Sequence, residues 1–107
     1  MRRSIKIFKI FGCAAALLAQ PPAALAAGDA AAGKVIAEQW CSSCHVVTPE
    51  QKTASTEAPP FATIAARHAD SMDALAAFLA DPHPPMPQMS LARQEIQDLL
   101  AYIGSLK

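Results

Sequence analysis

Large side chains are in short supply along this chain of 107 residues, which holds one Trp, one Tyr and four Phe. A small interior built without aromatics needs another source of bulk. No stretch alternates β-branched and polar residues at period two, which excludes a sheet or barrel. No internal repeat is present, so a solenoid or array is excluded as well. Catalytic equipment is missing too: Ser42 and Ser43 have no free base beside them, and no pair of carboxylates is placed for acid–base work. Cationic side chains are few, nine against nine carboxylates, and four of them, Arg2, Arg3, Lys6 and Lys9, fall in the first nine residues.

Those four cations open a recognisable leader. After them Ile10 to Ala19 is apolar, Gln20-Pro21-Pro22 interrupts it, and Ala24-Leu25-Ala26 offers a small-residue cleavage site. Residues 1–26 therefore read as a cleaved secretory signal and residues 27–107 as one exported, periplasmic domain. An uncleaved anchor would need roughly 20 apolar residues. Acylation of Cys13 would need a small residue where Phe11 stands.

Beyond residue 26 five cations face nine carboxylates, a net charge of about −4. Such a domain is unsuited to nucleic acid, whose phosphates demand basic surface. It is suited to steering toward basic patches on partner proteins, an attraction that weakens with salt.

The residue pattern predicts three helices, with a fourth short one between the first and second. Asp29 can cap a helix from Ala30 to about Trp40, where Gly33 and Ala37 make a small-residue groove and Ile36 and Trp40 a bulkier stripe. Ala62 to Arg67 can form a short turn of helix between breakers. Asp70 can cap the next helix, in which Met72, Leu75, Phe78 and Leu79 share a face and Pro82 marks the end. Ser90 can cap the last, with Ala92, Ile96, Leu99, Ile103 and Leu106 on one stripe and Arg93, Gln94, Gln97 and Asp98 opposite.

At the end of the first helix stands Trp40-Cys41-Ser42-Ser43-Cys44-His45. Cys-x-x-Cys-His is the attachment signature of a c-type haem. Two thiols at this spacing reach the two vinyl groups on one porphyrin edge, and the adjoining imidazole supplies the proximal ligand. One covalently held haem c would also provide the missing interior. Two rivals use the same residues. A thiol-disulfide oxidoreductase of thioredoxin type needs strands before and after Trp-Cys-x-x-Cys, and no strand is predicted. A structural zinc site wants four ligands at short paired spacings, whereas His68 and His83 lie 15 residues apart with no further Cys near them.

For the sixth position on the iron the residues leave alternatives. Met86, framed by Pro84-Pro85 and Pro87, sits on a backbone that can hold a weak thioether in place. A soft sulfur there favours the ferrous state and raises the potential. Met89 shares the loop without the proline frame, and His83 would make a bis-His site of low potential. Met72 belongs to a helical core stripe, and His68 reads as a solvated residue. Trp40 reads as buried packing that lines the cofactor's pocket.

In its order of parts residues 27–107 resemble the class I c-type cytochromes. A Gly-containing helix runs into Cys41-Ser42-Ser43-Cys44-His45; Ala58-Pro59-Pro60-Phe61 follows, then Met86-Pro87, then a closing helix over Glu95 to Ile103. The resemblance implies an all-α cytochrome c fold, three to four helices wrapped around one haem. It implies Met86 as the axial partner of His45, and a carbonyl of Pro59 or Pro60 as acceptor for the His45 ring N–H. It implies a crossing of the first and last helices at Gly33 and Tyr102. The family often carries an aromatic four residues before the first cysteine, where this chain has Ala37, and Trp40 is the residue available to compensate. The implied role is a single-electron carrier between redox proteins, membrane-bound complexes among them, with no small-molecule substrate. Thiol-disulfide exchange at Cys41 and Cys44, and a haem that binds gas at an open iron, are the alternative functions.

Overall fold

A computed structural model describes residues 27–107 apart from Thr56, so the predicted leader, with Cys13 and the cleavage after Ala26, lies outside the described residues. Four helices are found: α1, Ala30–Trp40; α2, Phe61–Arg67; α3, Met72–Ala80; and α4, Arg93–Gly104. Among the described residues there is no strand. The core runs along the inner face of α4, where Leu99 and Ile103 are fully buried together with Val47 from the loop after α1. Against it pack Ala37, Phe61, Ala65, Leu75 and Leu79, one or two from each remaining helix.

Local chemistry explains the helix starts unevenly. Asp29 caps α1 as its position predicts, its Oδ1 accepting from the N–H groups of Ala31 at 2.8 Å and Ala32 at 3.2 Å. Two other predicted caps are overturned. Ser71, not Asp70, precedes α3, and neither side chain caps it; the Ser71 hydroxyl lies 3.2 Å from His68 Nδ1 instead. Ser90 takes a left-handed backbone, φ 54°, and cannot lead into a helix, so α4 begins after Ala92. The Glu95 carboxylate closes that end by accepting from the Ala92 N–H at 2.7 Å, one half of a capping box.

The frame is the crossing of α1 on α4. A Cβ built on Gly33 would sit 2.0 Å from the Asp98 carbonyl oxygen and 2.9 Å from Tyr102 Cβ, so glycine is required for the approach. Asp98, predicted on the solvent side of α4, is buried at this crossing. Its carboxylate accepts from the Asp29 N–H at 2.8 Å and from Gln94 Nε2 at 3.0 Å, which converts a polar-face residue into an interhelical clasp. Ala37 is fully buried in the same contact, whereas Trp40 is 57% exposed. Trp40 therefore does not compensate for the missing aromatic; the crossing is closed instead by backbone approach at Gly33 with the small Ala37 buried in the same helix.

Gly33→Ala forces a methyl against backbone that cannot rotate away, and is expected to destabilise the assembled protein by about 1–3 kcal/mol or more; an unchanged denaturant midpoint would contradict this. The Asp29 N–H first, and Gln94 second, hold the Asp98 carboxyl below the usual carboxylate range. A pKa lower in the folded than in the unfolded chain stabilises above the unfolded value, about 3.9. That stabilisation is lost as pH falls through the folded value. Asp98→Asn should therefore flatten the acid limb of a stability–pH profile.

Candidate functional site

The four helices do not close on one another. Between α1, α2, α3, the loop of residues 82–89 and α4 lies a chamber of about 700 Å³ walled mainly by apolar side chains such as Phe61, Ile64, Leu75, Leu79, Leu99 and Ile103. An apolar group held in the chamber would take that wall out of water, a gain of roughly 25 cal/mol for each Å² covered. The chamber is shaped for a large apolar occupant.

The attachment motif stands at its wall because α1 ends in a tightening turn. Cys41 N–H still bonds to the Ala37 carbonyl at 2.9 Å, and the N–H groups of Cys44 and His45 both turn back to the Cys41 carbonyl, at 3.2 and 2.9 Å. That turn brings Cys41, buried, and Cys44, exposed, to the same chamber. His45 Nδ1 lies 2.6 Å from the Pro59 carbonyl oxygen. A carbonyl only accepts, so Nδ1 carries the proton, and in the neutral ring Nε2 keeps a free lone pair. The Pro59 carbonyl is held in turn by its neighbours, since Phe61 N–H bonds to the Val46 carbonyl at 2.9 Å. Phe61 also leans on the imidazole with ring centres 5.4 Å apart, and on Tyr102 at 6.5 Å. The Tyr102 hydroxyl donates to the Val47 carbonyl. Burial, with smaller contributions from Glu38 and Glu50, pushes the Tyr102 phenol above its ordinary range, so it remains a donor.

Met86 is half-buried against the core on the same chamber, its N–H bonded to the His83 carbonyl at 3.2 Å. Met89, His83 and His68 line the chamber as well. His83 is exposed and rests edge-on against Phe78 at 4.8 Å. His68, read from sequence as solvated, is half-buried. Met72 is not part of the chamber; it packs by Gly104. Trp40 borders the chamber but at its rim, exposed, because the last turn of α1 projects past the core.

Two thiols on one turn, an imidazole with a free Nε2, a thioether and an apolar chamber together suit a tethered haem. Thiol exchange is poorly served at Cys41. Burial, and then the neighbouring Cys44, pushes the Cys41 thiol up to about 11, whereas exchange needs a thiolate near neutral pH. Among the described residues no three His, Cys, Asp or Glu side chains gather as a metal-ion site, which leaves the zinc reading without its ligand set. Sequence reasoning missed Gln51, whose carboxamide sits behind the motif. A lone polar residue in a loop carries no periodic signal, so only the fold reveals it.

These parts define a small helical electron carrier built around one covalently held haem. The chain belongs to the cytochrome c family, whose model matches residues 30–107, and it has the all-α cytochrome c fold of the class I proteins. It is 45% identical over 95 residues to cytochrome c-552 of Bradyrhizobium diazoefficiens, covering 89% of this chain and 91% of that protein. No solved structure is a significant match. Members of the family carry covalently attached haem c and transfer electrons to redox partners without being enzymes.

If the chamber must be filled for the helices to pack, the double variant Cys41→Ala/Cys44→Ala produced without haem should lose most of its far-ultraviolet helical signal and its cooperative melt. A native helical spectrum from that haem-free chain would show that the chamber tolerates being empty.

Proposed function

We propose that residues 27–107 form an exported carrier of single electrons in which Cys41 and Cys44 hold the haem by thioether bonds and His45 and Met86 are its axial ligands. The observation that carries the reading is the 2.6 Å contact between His45 Nδ1 and the Pro59 carbonyl, which leaves Nε2 as the ring's one free donor atom. The haem supplies a one-electron couple. The chain's part is to orient that couple and keep it dry. Pro59 fixes the tautomer and rotation of His45 and makes it a better donor. Met86, soft and half-buried, favours the reduced state. Both ligands stand on backbone braced by prolines and by α4, so little needs to move when charge is gained or lost.

Export, with cleavage after Ala26 and a periplasmic destination, is supported by the basic, apolar and small-residue order of residues 1–26. The similarity to the Bradyrhizobium protein is longer than the described domain, so it reaches into that leader. No helix among the described residues is long and apolar enough to cross a membrane.

The rim of the chamber supports partner contact through an apolar face. Trp40, Cys44, Pro84, Pro85 and Pro87 are exposed there, and Glu57 is the one formally charged residue among the lining. The domain's acidic excess lies elsewhere. Long-range attraction to a basic redox protein and close contact at the rim are thus separate contributions.

Met86→Ala should abolish the weak far-red band of sulfur on ferric iron, lower the midpoint potential and let carbon monoxide bind. Unchanged ligation in that variant would move the assignment to Met89 or His83, and carbon monoxide binding by the unmodified protein would favour a gas-binding role. Electron transfer to a basic partner should slow with ionic strength and then level off. Trp40→Ala should lower that level by about fivefold, as expected for a contact worth roughly 1 kcal/mol; a level unmoved by the substitution would remove Trp40 from the docking face.

A further inference from the structure

The segment that follows the attachment motif, residues 46–55, contains no helix or strand. Its backbone polar groups must therefore find partners outside regular structure. One side chain meets two such groups and two more in the turn that precedes the segment. Gln51 Oε1 accepts from the Val47 N–H at 2.9 Å. Gln51 Nε2 donates to the carbonyls of Ser42 at 2.8 Å, His45 at 2.8 Å and Thr53 at 3.0 Å, its two N–H bonds shared among three acceptors. The orientation of the amide follows from its partners, because an N–H can only donate and a carbonyl can only accept.

Two of these partners, Ser42 and His45, lie inside the attachment motif. A third, Val47, offers its carbonyl to the Tyr102 hydroxyl of α4. The carboxamide is therefore a bridge from the motif, through the loop, to the helix that forms the core. Few side chains can take its place. Asparagine has the same groups one methylene shorter, leucine satisfies none of the four, and glutamate replaces the donors with an acceptor facing three carbonyls.

His45 is held from two directions. Its ring is fixed by the Pro59 carbonyl and its own carbonyl by Gln51. We propose that Gln51 is a positioning residue for the axial ligand: its carboxamide holds the Ser42–His45 turn, and so sets the pose from which His45 Nε2 meets the iron. This rests on the reading of His45 as a ligand. A group that holds the backbone of a ligand acts on the metal through the ligand's orientation.

The test compares the haem-loaded protein with its Gln51→Glu and Gln51→Asn variants by redox titration, proton NMR of the His45 ring and thermal melting. The Glu variant should change the equilibrium constant for reduction on the order of tenfold, which is 59 mV for a one-electron couple, and should shift the His45 ring resonances. The Asn variant should move both in the same direction by less, and it carries the comparison if the Glu variant does not acquire haem. Variants that melt earlier while keeping the wild-type potential and His45 resonances would overturn the proposal and leave Gln51 a structural brace. If the unmodified protein shows no iron-shifted His45 ring resonance, the ligand reading itself fails and the proposal falls with it, a result separate from any behaviour of the variants.

Discussion

An apolar space of about 700 Å³ in the middle of a domain with so few aromatic side chains is the constraint on which the rest of this structure depends. Helices α2 and α3 each meet α4 along a short contact and have no extensive packing on each other. What they share is the wall of the chamber. In the reading proposed above haem fills it, and would then be as much the core of the protein as its redox centre.

Around that space the chain divides its work. The α1–α4 crossing is closed by groups of the chain itself: by backbone approach at Gly33, by the fully buried Ala37 and by the Asp98 carboxylate on the start of α1. It supplies a rigid clamp from which the attachment turn emerges. The loop that follows the attachment motif is then stitched to this clamp from several sides. The His45 imidazole leans on Phe61, Phe61 on Tyr102, and Tyr102 bonds back to Val47, so the imidazole's surroundings are tied to the helix most deeply buried in the core. Such bracing favours electron transfer, since a site that moves little on gaining a charge has little to reorganise.

The exterior shows the same division. Carboxylates outnumber cations beyond the leader, yet the mouth of the chamber carries one of them, Glu57, beside prolines and an exposed indole. Trp40 illustrates why residue type alone misleads. Indole is read from sequence as interior, but the turn that delivers Cys41 to the chamber carries its neighbour past the edge of the core.

How far the sequence reaches depends on the range of the signal. The attachment motif, the Asp29 cap, the apolar faces of α3 and α4 and the glycine in α1 are local patterns, set by helical periodicity and by bond geometry over a few residues, and they were legible without coordinates. So was the family, through the order of its parts. The starts of α3 and α4 were not, because Ser90 is committed to a left-handed turn and Ser71 to His68, and these are outcomes of loop path. Asp98 and Gln51 were not either. Each is a polar side chain whose meaning lies in backbone groups delivered by another segment, a juxtaposition that no spacing encodes. The chain by itself determined the chemistry of attachment and the helices that frame it, since those follow from neighbouring residues. Tertiary structure alone decided which carboxylate is buried, which indole is exposed and which amide holds the Ser42–His45 turn, since those depend on where distant backbone comes to rest.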